Sequence, residues 1–265
     1  MPVTVALTIA GSDSSGGAGI QADLKTMSAF GVFGATALTA ITAQNTKGVA
    51  SSLMLAPEFV AAQIDAVFED LPVGAAKTGM LGGAQTVEAV ADRVGAHGLR
   101  KLVVDPVMVA TSGSSLIEEG AVGAMVRALL PLALVVTPNI PEAETLSGLR
   151  VVTEKDMEKA ARAIHDLGPR YVLLKGGHLT DSALDLLFDG STFLRFTGER
   201  IPGGRIHGTG CTLSAAIASG LALGRSVEEA VGEAKRYVTA GIATALPFGG
   251  GSDFVNHFAC LEDED

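Results

Sequence analysis

The chain has no tryptophan, two tyrosines and two cysteines. With so few large rings, an interior must be filled by small and aliphatic side chains. Cys211 and Cys260 are too few and too far apart in sequence to staple a scaffold, which points to a reducing, cytoplasmic setting. No run of about 18 apolar residues occurs, so no membrane partner is expected. The apolar stretch 3–10 is too short for a secretion signal and has no basic flank. Positive charge is scarce, with 19 Lys and Arg against 29 Asp and Glu and a net charge of −10. That excludes the basic footprint of a nucleic-acid binder. No Gly-Lys-Ser/Thr closes a phosphate loop. His97, His165, His178, His207 and His257 show no metal-ligand spacing. Repeats, low-complexity tracts and linkers are missing too.

What remains is a glycine-rich, aliphatic chain of 265 residues, 48% hydrophobic, with 33 glycines. Short apolar runs alternate with helical periods. This predicts one α/β domain over residues 1–265, a three-layer fold with a mostly parallel sheet. Strands are expected at 3–10, 35–43, 74–77, 102–107, 132–137 and 171–175, with an antiparallel pair at 183–188 and 193–197. Helices are expected at 20–30, 57–71 and 84–96, after Thr153, from about 209 to 223, and from Ser226 to about 246.

The richest stretch is Gly203-Gly204-Arg205-Ile206-His207-Gly208-Thr209-Gly210-Cys211-Thr212. Gly208 and Gly210 allow φ > 0 and a close approach of backbone to ligand. The amides of Thr209, Gly210 and Cys211 would then stand unpaired at the positive end of a helix, which makes an anion site. Cys211 lies in the first turn, where the dipole favours thiolate. An anion hole beside an ionisable side chain suits phosphoryl transfer onto a hydroxyl. The plainer reading is a glycine loop capping a core helix, with Cys211 as a small hydrophobe.

Other candidates fall at the ends of strands, where open α/β sheets bind ligands. The loop from Gly11 to Gly19 follows the first strand. A dinucleotide fingerprint forced onto Gly17, Gly19 and Ala22 lacks its later acid, because that region ends in Gln44-Asn45. The Gln44 amide offers a donor and an acceptor face, matching the N–C–NH₂ edge of an aminopyrimidine; a turn hydrogen bond is its plainer fate. Asp23 could face the same cleft or be a solvated helix acid. Met80 could wall a flat ring or sit in the core. Asp105 ends a strand before Pro106, with Val107 beyond, and a buried acid there wants a partner such as Mg²⁺. Asn139 and Glu142 share one side of a helical turn, and Glu142 is a hard oxygen donor suited to Mg²⁺. They also read as a capping box. Glu144 should be peripheral. Lys175 precedes two glycines and could face a triphosphate or snorkel at an edge.

Gly208-Thr209-Gly210-Cys211-Thr212 resembles the anion-hole signature of the ribokinase-like superfamily. It is most similar to the hydroxymethylpyrimidine and phosphomethylpyrimidine kinases of thiamine biosynthesis. In the sugar-kinase branch the last position is usually aspartate, so Cys211 points to the vitamin-kinase branch. Gly11 to Gly19, Gln44 and Asn139-x-x-Glu142 stand in the family's order. The resemblance implies ATP and Mg²⁺ as cofactors and an aminopyrimidine alcohol, then its phosphate, as substrate. It gives Gly11, Gln44 and Val107 to the substrate, where Asp23 and Met80 join them by placement, and Asn139 and Lys235 to ATP, where Lys175 joins them by its place at a strand end. Asp105 and Glu142 go to the metal, and Gly208, Thr209, Gly210 and Cys211 to catalysis, with Cys211 the candidate base. A homodimer is expected with it. Arg205-Ile206 departs from the smaller polar residues expected there, which bears on flap closure. The rivals are pyridoxal kinase and a non-catalytic pyrimidine sensor on the same fold. A Cys–His hydrolase reading of His207 and Cys211 is set aside, because no Asn or Asp is evident to orient the imidazole.

Overall fold

Runs of five or six aliphatic residues that carry no polar alternation belong in the middle of a parallel sheet, covered on both faces. β1 (Val5–Ala10) is such a run apart from Thr8 and is buried at every position. The computed structural model describes residues 3–108, 120–177, 184–198, 201 and 206–259. Gly203, Gly204, Arg205, His178, Cys260 and the acidic tail lie outside them.

After β1 come α1 (Gly19–Ala29), β2 (Phe33–Leu38), β3 (Ala40–Asn45), β4 (Gly48–Met54), α2 (Pro57–Asp70), β5 (Val73–Thr78), α3 (Ala84–Ala96) and β6 (Leu102–Val104). Then follow α4 (Ala121–Ala124), continued by a π turn (Met125–Leu129), β7 (Val135–Val136), α5 (Ile140–Ser147), α6 (Glu154–His165) and β8 (Tyr171–Lys175). The chain goes on through β9 (Asp185–Phe188), β10 (Phe193–Phe196), β11 (Ile206–His207), α7 (Thr209–Ala222), α8 (Val227–Ala243) and β12 (Asp253–Phe254).

Eight strands form one sheet in the order β10-β9-β8-β7-β6-β5-β1-β2. Neighbours from β2 to β8 are parallel, and β9 and β10 extend the edge in antiparallel fashion. Side chains alternate across this sheet. Val104, Val136, Val172 and Leu174 meet α2, α3 and α6 on one face. Val103, Val135, Leu173 and Leu187 meet α7 and α8 on the other. The expected three layers are there.

The order reverses between β1 and β5, because β2 joins one side of β1 and β5 the other. The crevice at the carboxyl ends of those two strands is the geometrically favoured ligand site. Gly11 and Met80 meet in it: a Cβ on Gly11 would stand 2.5 Å from Met80 Cε.

One expected strand is corrected. The run 35–43 is two strands, broken at Thr39, whose N–H goes to Ala10 O and whose Oγ1 donates to Met80 O at 2.6 Å. Beyond the break, β3 leaves the main sheet and pairs only with β4 as a hairpin. The hairpin carries Gln44 over the carboxyl edge. Its tip is held at the far end, where Ser252 N donates to Thr46 O at 3.1 Å.

Candidate functional site

The glycine loop 11–19 is organised by Asp13. Its carboxylate accepts Ser15 N (2.8 Å) and Ser15 Oγ (2.6 Å) on one oxygen, and Gly17 N (3.1 Å) and Ala18 N (2.8 Å) on the other. His207 Nε2 adds a fifth contact at 2.9 Å. Burial pushes the Asp13 pKa up, but His207 and Ser15 outweigh it and bring it to about 2. Asp13 was not foreseen, and it supplies the acid that the sequence reading did not find for His207.

Gly208 stands next, at φ 87°, as the N-cap of α7, and no side chain caps the helix. An added Cβ would collide with the Gly17 carbonyl oxygen, so the two glycine loops close on each other through bare backbone. The first-turn amides of Thr209, Gly210 and Cys211 therefore open the helix without a covering side chain. Gly210, unlike Gly208, keeps negative φ. A Cβ added there would make ordinary contacts instead, 3.4 Å from Lys175 Nζ and 3.6 Å from Asp105 Oδ2.

Asp105 and Lys175 arrive from the ends of β6 and β8. Lys175 Nζ lies 3.1 Å from Asp105 Oδ1, which also accepts Thr137 Oγ1 at 3.2 Å, and Ser214 Oγ reaches Oδ2 at 3.3 Å. Burial would raise the Asp105 pKa, but Lys175 and Lys77 hold it low. Asn139 and Glu142 form the complete capping box of α5: Glu142 N donates to Asn139 Oδ1 at 2.9 Å, and Asn139 N donates to Glu142 Oε2 at 2.8 Å. Burial raises the Glu142 pKa to about 7; Lys175 opposes this and Asp105 reinforces it. Two carboxylates thus share one lysine, leaving local negative charge that a divalent cation would balance. Among the described residues no cluster of three or more His, Cys, Asp or Glu forms a protein cage for a metal. Two carboxylates completed by phosphates and water are the donor set Mg²⁺ takes.

Three expectations change. Asp23 does not line the cleft: its side chain is wholly buried, accepting Thr8 Oγ1 at 2.6 Å and Lys77 Nζ at 3.1 Å. A short acid one turn into α1 points into the core, where only a cation makes its burial tolerable. Cys211 is not a resting thiolate. Burial pushes its pKa up to about 11, and Lys77 pulls it down only in part, so desolvation beats the helix dipole. Lys235 is committed to Asp185 Oδ2 at 2.6 Å, and Asp185 Oδ1 in turn accepts Gly176 N at 3.1 Å. It acts on the Lys175-Gly176 strand end through that acid. Glu144 is peripheral as expected, accepting Val151 N at 2.8 Å.

Gln44 supplies the deciding geometry. Its side-chain amide lies 3.1 Å from His207 Nε2, which places the hairpin directly beside the Gly208 turn. Val107 and Met80 are both half-buried. Comparison with known proteins gives the family. A family model described as "Phosphomethylpyrimidine kinase" matches residues 13–256. The chain belongs to the phosphomethylpyrimidine kinase family. It is 54% identical over 258 residues to the hydroxymethylpyrimidine/phosphomethylpyrimidine kinase of Rhizobium meliloti, covering 96% of this chain and 97% of that protein. It is also 54% identical to the thiamine biosynthesis bifunctional protein ThiED of Geobacter sulfurreducens, covering 97% of this chain but spanning only 53% of that longer protein. Among solved structures, the phosphomethylpyrimidine kinase of Clostridium difficile superposes with TM-score 0.82 at 45% identity, covering 91% of this chain and 100% of that one. The ADP complex of Bacillus subtilis pyridoxal kinase superposes at 0.90 with 40% identity, covering 97% and 98%. The fold of this phosphomethylpyrimidine kinase family member is therefore ribokinase-like, and ATP use comes with a kinase family.

Proposed function

We propose that this chain transfers the γ-phosphoryl group of ATP to the hydroxymethyl oxygen of 4-amino-5-hydroxymethyl-2-methylpyrimidine. It then phosphorylates that monophosphate to the diphosphate, for thiamine assembly. The single observation that carries the reading is the 3.1 Å approach of Gln44 to His207, one residue before the anion loop. A ring-reading amide and an uncapped helix start thereby border one crevice.

In this reading Gln44 accepts from the ring amino group and donates to the neighbouring ring nitrogen. Gly11, Met80 and Val107 wall the ring. Asp105 and Glu142 would hold Mg²⁺, which when bound offsets charge on the phosphates. Lys175 and Asn139 border the ATP phosphates, and Lys235 steadies the Gly176 turn through Asp185. The amides of Thr209, Gly210 and Cys211 take up negative charge on the moving phosphoryl group. The Cys211 thiol rests protonated and orients the hydroxyl. As the new O–P bond forms and the bond from the γ-phosphorus to the bridging oxygen of ADP breaks, the hydroxyl proton passes to sulfur in the fraction of molecules whose Cys211 is ionised, a fraction that Lys77 enlarges, and ADP leaves. This chain works as a cytoplasmic homodimer.

An ATP-consumption screen over a panel of vitamin precursors tests the proposal. ADP release with the aminopyrimidine alcohol and with its monophosphate is the expected result. Pyridoxal is the control ring, because pyridoxal kinases share the fold. Ligand-induced thermal stabilisation without ADP release would instead fit a sensor.

A further inference from the structure

His207 Nε2 stands between two groups that make opposite demands. Asp13 Oδ2 lies 2.9 Å away and can only accept, so Nε2 must carry a hydrogen. That hydrogen leaves Nε2 no lone pair for an N–H of Gln44, whose amide end lies 3.1 Å away. The end of the amide facing His207 is therefore the oxygen Oε1, which accepts a share of the same N–H. Turned this way, the NH₂ group faces Thr42 Oγ1, the atom 3.4 Å from the other end of the amide. Thr42 Oγ1 gives its own hydrogen to Ser12 O at 2.8 Å and keeps its lone pairs for that N–H. Each end of the amide then meets a partner of the opposite kind, and one lone pair and one N–H of Gln44 stay spare. The two amide ends are alike in shape, and only their partners distinguish them.

The imidazole is held on its other sides as well. β11 pairs His207 with Phe254 of β12, and the Phe254 ring lies 6.1 Å from the imidazole centroid. Gly17 leaves room for it, since a Cβ there would stand 2.9 Å from His207 Cδ2. His207 is buried and is followed directly by the N-cap of α7.

We propose that His207 is a specificity-determining positioning residue. Anchored on Asp13, its Nε2–H locks the Gln44 amide with Oε1 toward the anion loop and NH₂ toward Thr42, and so sets the edge that an incoming ring must present. The spare lone pair of Oε1 takes a ring amino group, and the spare N–H takes the adjacent ring nitrogen. A ring without that neighbouring donor and acceptor makes at most one of the two bonds. The inference rests on reading Gln44 as the ring-binding amide.

Two measurements test it. In long-range ¹H–¹⁵N NMR of the ¹⁵N-labelled wild-type protein, with His207 assigned by the signals lost in His207→Gln, Nε2 should be protonated. A bare Nε2 would overturn the lock whatever the variants do. The second compares kcat/KM for the aminopyrimidine alcohol and for pyridoxal in wild type, His207→Phe, His207→Gln, Gln44→Leu and His207→Phe/Gln44→Leu. His207→Phe should cut selectivity about tenfold, mainly through KM, the loss of roughly one hydrogen bond. His207→Gln, whose amide N–H can stand in for Nε2–H, should recover most of it. In the Gln44→Leu background the His207 change should leave selectivity unaltered. Additive losses would overturn the proposal. A wild-type protein that never turns over the aminopyrimidine would overturn the reading of Gln44, while the tautomer still judges the lock by itself.

Discussion

Lys77 Nζ lies 3.1 Å from both carboxylate oxygens of Asp23, and neither side chain is exposed to solvent. β5 and α1 deliver the pair close to the start of α7. Burial works against the Lys77 charge, but Asp23, the Cys211 sulfur and Asp105 together raise its pKa. Lys77→Met should cost about 3–5 kcal/mol, because it strands a buried carboxylate. Lys77→Met/Asp23→Leu should recover most of that stability but not the phosphotransfer rate. Denaturant midpoints and single-turnover assays of both variants check this. Full activity in the double variant would show the pair to be packing alone.

Glu142 gives a pH dependence. Its pKa rises from 4.5 to about 7 on folding, so between those values the native state holds a proton that the unfolded state has released. Glu142 should therefore contribute stability to the nucleotide-free protein that is lost as pH rises through that window, by roughly 3 kcal/mol, while His257, whose burial lowers its pKa to about 4, contributes in the opposite sense. Glu142→Gln removes the first contribution and keeps the second. Denaturation midpoints of both proteins at pH 5 and pH 7.5 measure it: the wild type should lose ground to the variant as pH rises, and a wild type that gains on the variant would contradict it.

Cys211 should behave as a thiol. With its pKa at about 11 against an ordinary 9.0, alkylation at neutral pH should run about a hundredfold slower than for an unperturbed thiol and keep climbing through pH 9. A rate that levels off below pH 8 would mean a stabilised thiolate. In single turnover, Cys211→Ala should lose about 10²-fold or more if sulfur takes the hydroxyl proton.

Two glycines separate folding from chemistry. Gly208→Ala would force a side chain into φ 87° and into the Gly17 carbonyl, so the protein should lose stability and activity together. Gly210→Ala lies at ordinary helical φ, with its nearest neighbour 3.4 Å off at Lys175 Nζ. Melting should shift by only a few degrees while kcat falls, since the methyl fills the space proposed for the phosphoryl group. Thermal melts beside initial rates distinguish the two.

The sheet was legible because most of its strands are dominated by aliphatic residues, and two of the later helices because they carry their own caps. Thr153 and Ser226 both form the capping boxes that their Asp156 and Glu229 partners suggest. The hairpin was not legible. β4 is largely exposed, with Leu53 63% accessible, so it has no buried face to imprint an alternating pattern. Gln44, Asp105, Glu142 and Lys175 could be picked out because each stands at a strand end or helix start. Asp13 and Lys77 could not, since their partners lie at residues 207 and 23 and nothing local announces a contact across that distance. The Cys211 expectation weighed the helix dipole, which sequence shows, without burial, which it does not.

The most direct test of the account is phosphate transfer itself, followed by ³¹P NMR with purified protein, ATP and Mg²⁺. Wild type should convert 4-amino-5-hydroxymethyl-2-methylpyrimidine to its monophosphate and then its diphosphate in step with ADP. Gln44→Leu should lose that turnover while any pyridoxal turnover is retained. Preference of the wild type for pyridoxal, or equal loss of both substrates in Gln44→Leu, would contradict the account.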